Sequence, residues 1–330
     1  MFVHGHTSDK ISAVSISFFP PEWYTVCEFS REEPTAIRTL QCTVPAAFDG
    51  RPLKHLLRGE LGISSTLLKT LKWREGAILL NGAGVHVNAV VRTGDTVTVV
   101  LSERAPRETD VAPLDIPLAI VYEDEDLLVL NKPAGLAMHP MSTDLAAPNL
   151  AGALVAYLGE GTVPHFVSRL DKGTSGLLIA AKSGYVHELL RRALHSEELR
   201  REYRALALGR VTPPRGVIDA PIARAEGSLV KRCVAPDGLP SRTEYEVLSY
   251  HGELTLLRLA PRTGRTHQLR VHMASLGHPL AGDWLYGTED RALIARPALH
   301  SYALWFTHPL THAVLHFTAP LPEDMERLIK

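Results

Sequence analysis

An aspartate with small neighbours stands out in the segment SRLDKGTSG, residues 168–176. Asp171 follows Arg169 and Leu170, and a Gly-Thr-Ser-Gly turn then leads to the apolar run LLIAA. An acid at the end of a strand is held rigidly, and small residues beside it let a substrate approach closely. Taken alone, such an aspartate is more often a turn or cap residue. The segment therefore predicts a positioned carboxylate, with an ordinary turn as the alternative.

Other chemistries find little support in the residue types and spacings. The sixteen histidines include no His-Glu-x-x-His motif, and His267 and His272 are five residues apart, which separates them on a helix. Ser175 lacks the Gly-x-Ser-x-Gly elbow of a hydrolase, and NGAGVHVN lacks the third glycine of a dinucleotide-binding loop. The sequence thus predicts neither a metal nor a cofactor.

The elements around Asp171 alternate between strand and helix patterns. SGLLIAAKS is typical of a strand and YVHELLRRALHSEEL of a helix. TEYEVLSY and LTLLRLAP predict a hairpin, and residues 266–277 predict a helix that ends at a glycine. Hairpins mixed with helices favour an α+β domain whose sheet is mixed and largely antiparallel.

Four segments in a fixed order resemble the pseudouridine synthases of the RluA type. They are IVYEDEDLLVLNKPAGLAMHP, SRLDKGTSGLL, REYRALALG and PRTGRTHQLRVHMASLGHPLAGDWLYG. The similarity extends over roughly residues 115–320, and one position departs from it, because Ser168 stands where the family usually has histidine. The resemblance implies a synthase fold and the isomerisation of uridine in RNA. In that reaction the glycosidic bond moves from a ring nitrogen to a ring carbon, and no cofactor is needed.

The resemblance also assigns the chemistry to three side chains. Asp171 matches the family's catalytic aspartate, whose carboxylate can attack the substrate covalently or stabilise charge at the anomeric carbon. Arg270 matches the basic partner that keeps this acid ionised in a pocket that excludes water. Tyr203 matches the active-site tyrosine, which would stack on the extruded base or exchange a proton with it.

A further group of residues is expected to bind the RNA. A uridine paired in a helix must flip out before its glycosidic bond can be reached. Arg169 matches a family residue that intrudes where the base leaves. Arg262, Arg265 and His267 are expected to line a basic groove, where they would position phosphates rather than read the sequence.

The sequence ahead of this domain predicts a smaller module. Leucines at helical spacing between residues 51 and 76 predict two short helices, the second capped by Ser64 or Ser65. ILLNG and RTGDTVTV then predict strands separated by tight turns. This pattern resembles the RNA-binding S-four fold, which is named after a ribosomal small-subunit protein.

These patterns give a domain order and two further RNA contacts. Lys69 and Lys72, on the second short helix, are the expected contacts of the S-four-like domain, although that helix carries few cations. The chain divides into an N-terminal extension at 1–47, an S-four-like domain at 48–102, a polar linker at 103–115 and a pseudouridine synthase catalytic domain at 116–330.

Composition is consistent with a globular protein. Of 330 residues 45% are hydrophobic and 22% charged, which is enough for a core. Three widely spaced cysteines offer neither a disulfide framework nor a Cys-x-x-Cys site, which suits a reducing compartment. No apolar run reaches the length of a membrane span, and no signal-peptide cleavage site is evident, so we expect a cytoplasmic protein.

The net charge of −1 argues by itself against a nucleic-acid-binding protein, but the charges are unevenly distributed. Residues 191–270 contain 15 Lys/Arg against 9 Asp/Glu, an excess that can form either a basic face or an ordinary solvated surface. We expect RNA as the partner, with no membrane and no obligate protein partner. The S-four-like module favours ribosomal RNA over transfer RNA.

Two other functions compete with this interpretation. One is a non-catalytic RNA-binding protein on a degenerate synthase fold, and the other is a hydrolase that uses Ser175 and a histidine. Asp171, Tyr203 and Arg270 argue against the first, because RNA binding alone has little use for a carboxylate in a basic groove.

Overall fold

The chain divides into two compact units. The computed structural model describes residues 15–17, 38–101, 111–140, 144, 147–159, 162–196 and 198–330. The larger unit comprises residues 1–18, 111–182 and 190–330, and the smaller one comprises residues 19–110 and 183–189. Most of the predicted extension at 1–47 lies outside the described residues, as does the first part of the predicted linker, 103–110.

The described residues form seventeen strands and six α-helices. The strands are β1 (Ser15–Ser17), β2 (Arg38–Thr43), β3 (Ile78–Leu80), β4 (Ala83–Gly84), β5 (Thr96–Leu101), β6 (Ile120–Glu123), β7 (Leu127–Lys132), β8 (His165–Phe166), β9 (Ser175–Ala181), β10 (Arg200–Leu208), β11 (Arg215–Asp219), β12 (Ile222–Arg224), β13 (Arg232–Val234), β14 (Arg242–His251), β15 (Leu254–Pro261), β16 (Leu299–Thr307) and β17 (Val314–Thr318). The helices are α1 (Leu53–Gly59), α2 (Ser65–Leu71), α3 (Leu150–Leu158), α4 (Gly184–His195), α5 (Gln268–Ser275) and α6 (Glu323–Glu326), and a short 3-10 helix covers Ala46–Phe48.

The smaller unit packs two short helices with a four-stranded antiparallel sheet in the order β2-β5-β3-β4. Its two helices appear where the leucine spacing predicts them, and Ser64 is the cap of α2, since its hydroxyl oxygen accepts from the Leu67 N–H at 3.1 Å. Both helices end earlier than their predicted glycine stops. Leu61 and Ile63 donate to carbonyls of the last turn of α1, so a tight turn replaces further helix before Gly62. The S-four assignment stays a prediction.

The larger unit is built on one mixed sheet, which confirms the predicted α+β class. Its main order is β11-β14-β15-β10-β16-β9-β7-β6, with β17 beside β16, β1 beside β17 and β8 beside β9. Among the pairs that the structure describes, β16 with β9 is parallel and the others are antiparallel. The predicted hairpin is β14–β15, which turns at Gly252 and Glu253.

A buried apolar cluster joins the central strands to α3 and α5. It contains Leu178 of β9, Tyr203 of β10 and Leu259 of β15. It also contains Leu170 and Leu269, the residues that precede Asp171 and Arg270. Since a close-packed core fixes the backbone of its members, the cluster anchors both charged side chains. No helix in the parts of the chain that the structure describes is long and apolar enough to cross a membrane.

Candidate active site

Asp171 lies in a tight turn at the entrance to β9. The Thr174 N–H donates to the Asp171 carbonyl at 3.0 Å, and β9 begins at the next residue, Ser175. The sequence pattern placed the acid directly after a strand, whereas β8 ends at Phe166. The reason is that β16 takes the same edge of β9 at Ser175 and Gly176, so β8 has no free edge to follow. The Asp171 side chain is 30% exposed and therefore reachable from outside.

Two buried cations hold the carbonyl groups that follow Asp171. The Lys132 ammonium donates to the carbonyl of Lys172 at 3.3 Å, and also to the Pro133 and Leu136 carbonyls at 2.8 and 2.9 Å. Burial, with the nearby charge of Arg296, lowers the pKa of Lys132 to about 8, and the charge of Asp171 opposes that shift. Lys132 thus ties the start of the Asp171 turn to the chain that leaves β7.

Arg296 holds the next peptide of the same turn. Its Nη1 donates to the Gly173 carbonyl at 3.2 Å, while Nε and Nη2 bond both oxygens of Asp324 at 2.6 and 2.8 Å. A bidentate carboxylate fixes the plane of the guanidinium, so the remaining nitrogen keeps its direction. The backbone of the turn is therefore fixed by charge-assisted hydrogen bonds as well as by packing.

Gly176 lets β9 approach β16 closely just beyond the turn. Its φ is +106°, and a Cβ atom there would lie 2.3 Å from the carbonyl oxygen of Ser301. Real Cβ atoms do not come that close to a backbone oxygen, so only glycine fits. This requirement explains the second glycine of the Gly-Thr-Ser-Gly turn.

Arg270 lies between two carboxylates. Its Nε and Nη2 donate to the two oxygens of Asp283, each at 2.7 Å, and its Nη1 donates to Asp171 Oδ2 at 3.3 Å. Arg270 and Asp283 are both buried. Burial lowers the pKa of Arg270, but the hydrogen bonds and charges of Asp283 and Asp171 outweigh that effect and raise it. Arg270 therefore stays a cation and places a positive charge beside Asp171.

His267 lies beside the same carboxylate. Its Nε2 is 3.8 Å from Asp171 Oδ2, and its Nδ1 is 2.8 Å from the Tyr286 hydroxyl. That hydroxyl also accepts from the Arg232 N–H at 2.9 Å, so Tyr286 joins His267 to the backbone of Arg232. Burial lowers the pKa of His267, the charge of Asp171 opposes this, and Arg270 adds to the lowering. Burial thus favours the neutral imidazole, whose Nε2 faces Asp171, and the expected contact of His267 with RNA stays a prediction.

Tyr203 lies on β10, opposite Leu259 of β15 and Ser301 of β16, next to an irregularity in the β10–β16 register. Its ring is buried in the apolar cluster that also contains Leu170 and Leu269. Within the described part of the chain nothing hydrogen-bonds to its hydroxyl, which is not enclosed. The side chain therefore offers a packed ring with an uncommitted hydroxyl.

The predicted RNA contacts of the larger unit differ in their surroundings. Arg169 is exposed, and no described residue pairs with its guanidinium. Arg262 forms a two-pronged ion pair with Glu244 at 2.9 and 3.2 Å, so its charge is largely offset. Arg265 donates from Nε to the Pro240 carbonyl at 3.2 Å. The structure therefore brings Arg270 and His267 to Asp171, but directs Arg262 and Arg265 to other partners.

Lys69 and Lys72 belong to the smaller unit. Lys69 is exposed on α2, and Lys72 follows the last residue of that helix, with its ammonium 4.8 Å from the centre of the exposed Trp73 ring. An exposed cation beside an exposed indole is a combination that can take a phosphate and a base together. Their contact with RNA stays a prediction.

Ser175 does lie beside a histidine, as the hydrolase alternative requires, but the pair is buried away from any substrate. Ser175 Oγ lies 2.9 Å from His300 Nδ1, and His300 Nε2 lies 3.3 Å from the Ala319 carbonyl. Both side chains are buried, and burial lowers the pKa of His300 to about 4. Since no ester could reach this serine, the pair serves to bridge β9 and β16.

One group of side chains in the described residues has the spacing of metal ligands. Ligand atoms of Asp124, Asp126 and His308 all lie within 4.8 Å of one another. However, His308 Nδ1 accepts from the N–H groups of Leu310 and Thr311 at 3.2 and 3.0 Å. Its buried Nε2 lies 3.2 Å from Asp124 Oδ2 without forming a hydrogen bond. A metal-bound histidine donates its second N–H instead. The donor set therefore does not fit a metal.

Sequence reasoning missed Lys132, Asp283, Tyr286 and Arg296. Lys132 continues the apolar run LLVLN, and a lysine that extends a buried strand pattern is a detectable signal for a paired, buried cation. Asp283 and Tyr286 lie in a segment that carried the resemblance, but neither has a local pattern that points to the site. Arg296 reaches the turn from 123 residues away, which no local pattern could show.

Known proteins are similar to this chain over most of its length. A family described as RNA pseudouridylate synthase matches residues 126–275. The uncharacterized RNA pseudouridine synthase YjbO of Bacillus subtilis is 42% identical over 275 residues, covering 82% of this chain and 96% of that protein. Ribosomal large subunit pseudouridine synthase D of Nitrosomonas europaea is 36% identical over 304 residues, covering 88% and 87%.

A solved structure has a similar fold. Human RNA pseudouridylate synthase domain containing 1 is 29% identical, with a TM-score of 0.51, and the match covers 62% of this chain and 83% of that one. The buried arginine that bonds both oxygens of Asp283 lies beside an accessible aspartate, on a fold shared with these proteins. The sequence is 42% identical to that of YjbO over 82% of this chain. The chain belongs to the family of RNA pseudouridine synthases.

Proposed function

We propose that this enzyme converts specific uridines of ribosomal RNA to pseudouridine, with Asp171 as the catalytic carboxylate. The similarity to a protein named ribosomal large subunit pseudouridine synthase D, over 88% of this chain, supports ribosomal RNA as the substrate. The S-four-like pattern of the smaller unit supports a structured RNA as well. The reducing compartment that the cysteine pattern predicts is the cytoplasm, where such an RNA is found.

The geometry of Asp171 carries the proposal. Its Oδ2 is engaged by Arg270 at 3.3 Å and faces His267 at 3.8 Å, whereas no described residue bonds to Oδ1. Because the turn backbone is fixed, Oδ1 keeps one direction and needs little reorganisation to act. A carboxylate oxygen that is held in place and makes no other bond suits attack on, or charge stabilisation at, an anomeric carbon.

The isomerisation then follows from bond exchange at that carbon. The bond from the ribose anomeric carbon to N1 of uracil breaks, and N1 takes the electron pair. Asp171 either bonds to the anomeric carbon or stabilises its positive charge while the base rotates. The C5 atom then bonds to the anomeric carbon. Where Asp171 had bonded to that carbon, this bond breaks and the carboxylate leaves with the electron pair. C5 finally loses its proton, and N1 gains one. Atoms and charge balance without a cofactor.

Tyr203 and Arg169 support the base during this exchange. The buried Tyr203 ring can stack on the uracil, and its uncommitted hydroxyl can take part in the proton transfer from C5 to N1. The exposed, unpaired Arg169 guanidinium, two residues before Asp171, can fill the place that the flipped base leaves. Both assignments come from the resemblance to the family, and the burial of the Tyr203 ring and the exposure of Arg169 support them.

The test compares total RNA from cells that contain the wild-type protein, no protein, the Asp171→Asn variant or the Asp115→Asn variant. Asp115 is an exposed aspartate of the same unit and serves as the matched control. We expect one or a few pseudouridines in ribosomal RNA to depend on the protein, to be absent with Asp171→Asn and to return with Asp115→Asn. Restoration of every site by Asp171→Asn would make Asp171 structural. If no site depends on the protein, the non-catalytic RNA-binding alternative is favoured.

A further inference from the structure

A buried polar network fixes α5, the helix that carries Arg270, to β14. Its members are Thr243 of β14 and two residues of α5, Gln268 and His272, and all three are buried. Gln268 Nε2 donates to Thr243 Oγ1 at 3.0 Å, and His272 Nδ1 lies 2.9 Å from the same oxygen. Residues four apart share one face of a helix, so a single hydroxyl holds one turn of α5. We call these three side chains the Thr243 network.

The partners of the network fix the direction of each hydrogen bond. His272 Nε2 donates to the Ala220 carbonyl at 3.0 Å, since a carbonyl oxygen can only accept. Burial lowers the pKa of His272 and favours the neutral ring, whose Nδ1 then accepts from the Thr243 hydroxyl. Gln268 Oε1 accepts from the Arg265 N–H at 3.0 Å, so Nε2 is the atom that faces Thr243. A buried network whose members are all satisfied holds one arrangement.

The same glutamine holds an unusual backbone conformation at His267. The φ of His267 is +57°, in the left-handed region that residues other than glycine rarely adopt. Gln268 Oε1 accepts from the Thr263 hydroxyl at 2.7 Å as well as from the Arg265 N–H, and the Gln268 N–H donates to the Arg265 carbonyl at 3.0 Å. Such a conformation persists only where the surrounding contacts fix it. Gln268 therefore fixes the bend that brings the His267 ring to 3.8 Å from Asp171.

Arg270 leaves α5 on the side opposite to the network. With 3.6 residues in a turn, position 270 lies about 180° from the midpoint of positions 268 and 272. The guanidinium bonds Asp283 and Asp171 there, while the network bonds β14. A rotation or shift of α5 against β14 therefore moves the guanidinium relative to both carboxylates.

We propose that the Thr243 network positions Arg270 and His267 against Asp171 without touching the substrate. This deepens the proposed function and rests on it, because it takes Asp171 as the group that does the chemistry. The network ties α5 to β14, to the loop at 263–265 and to the backbone at position 220. Three separate parts of the larger unit thus set the place of one helix, and its loss should slow the chemical step rather than weaken RNA binding.

The hydroxyl of Thr243 is the group to remove. Without it His272 Nδ1 is buried without a donor, and Gln268 Nε2 keeps only the Arg242 carbonyl, which lies at 3.0 Å. A buried acceptor without a partner is unfavourable, so α5 shifts to relieve it. Thr243→Val replaces the hydroxyl by a methyl group of similar size, and Thr243→Ser keeps the hydroxyl. Gln268→Met breaks the same network from the helix.

Thr255→Val is the matched control. Thr255 of β15 is fully buried, as Thr243 is, and its hydroxyl also accepts one hydrogen bond and donates one. It accepts from the Val211 N–H at 3.2 Å and donates to the Gly209 carbonyl at 2.6 Å, outside the site. This change therefore removes a comparable buried hydroxyl without touching α5.

The experiment uses the full-length enzyme and these four variants. Total RNA from cells lacking the protein is treated with the wild type, and pseudouridine is mapped. The single-turnover rate with saturating enzyme and the Kd are then measured for each enzyme on an RNA fragment that contains the mapped site. The melting temperature of each variant shows that it is folded at the assay temperature.

We expect Thr243→Val and Gln268→Met to lower the single-turnover rate by about tenfold or more, with Kd within about twofold of the wild type. Thr243→Ser should restore the rate. Thr255→Val should lower the melting temperature about as much as Thr243→Val and keep the wild-type rate, since only a buried hydrogen bond is lost.

A wild-type rate in folded Thr243→Val overturns the proposal, as does an equal loss of rate in Thr255→Val or a loss in Kd alone. If Thr243→Val does not fold, the rate of Gln268→Met decides by the same criteria. Failure of the wild type to modify any RNA overturns the proposed function instead, before any variant is compared.

Discussion

Arg270 and Asp283 form a buried, two-pronged ion pair, with both hydrogen bonds at 2.7 Å. The pair leaves one guanidinium nitrogen for Asp171, at 3.3 Å. Asp171 thus receives its positive neighbour from a side chain that a second acid already holds in place. The charge and the orientation of the group beside Asp171 therefore depend on Asp283, a residue that need not touch the substrate.

Asp283→Asn should impair both stability and turnover. The amide cannot accept two charged hydrogen bonds, so Arg270 becomes a poorly compensated buried charge and loses its fixed plane. We expect the free energy of unfolding to fall by about 3–5 kcal/mol, as measured by denaturant titration. Asp219→Asn, in a pair with Arg242 that is about half exposed, should cost less than about 1 kcal/mol. Equal effects of the two changes would contradict the role of Asp283.

Arg270→Lys tests orientation separately from charge. A lysine keeps the positive charge but cannot bond both oxygens of Asp283 and reach Asp171 at once. We expect kcat for pseudouridine formation to fall by about 10²-fold or more, because the carboxylate is no longer held in one direction. The measurement is single-turnover kinetics with saturating enzyme. Wild-type kcat in a folded Arg270→Lys enzyme would show that charge alone suffices.

The fold was predictable where its contacts are local. The β14–β15 hairpin and the Ser64 cap of α2 follow from turn residues and spacing over a few positions. The parallel pairing of β16 with β9 joins His300 to Ser175 across 125 residues, and no local pattern encodes such a pairing. That pairing also explains why the strand expected directly before Asp171 stops at Phe166.

The residues of the candidate site were predictable from the resemblance of the motifs to a known family, but the contacts between their side chains were not. The motifs led to Asp171, Arg270 and Tyr203, and the structure places Arg270 at Asp171. They did not reveal that His267 faces the carboxylate, because its ring is held by the Tyr286 hydroxyl nineteen residues away. A side chain such as Tyr286, which contacts His267 rather than Asp171, cannot be recognised from its spacing in the sequence.

Gly176→Ala should prevent stable folding. A Cβ at φ +106° would lie 2.3 Å from the Ser301 carbonyl oxygen, which belongs to the backbone of β16 and cannot move aside. Gly252→Ala is the control, since its φ of +57° is strained but no atom lies within 4 Å of its Cβ. We expect the free energy of unfolding to fall by about 1–2 kcal/mol in the control. For Gly176→Ala we expect no soluble protein that folds cooperatively. Comparable melting temperatures would contradict the close approach.

Activity should fall as the pH rises through about 8, the lowered pKa of Lys132. Above it the neutral amine loses donor strength at the Lys172 carbonyl, so the Asp171 turn loosens. Stability should not fall with it: a lysine whose pKa is depressed on folding binds fewer protons folded than unfolded, so its contribution to stability rises between about pH 8 and 10. We would measure kcat and the free energy of unfolding from pH 6.5 to 9.5. A flat kcat over this range, or a fall in kcat that only parallels unfolding, would remove Lys132 from the positioning of Asp171.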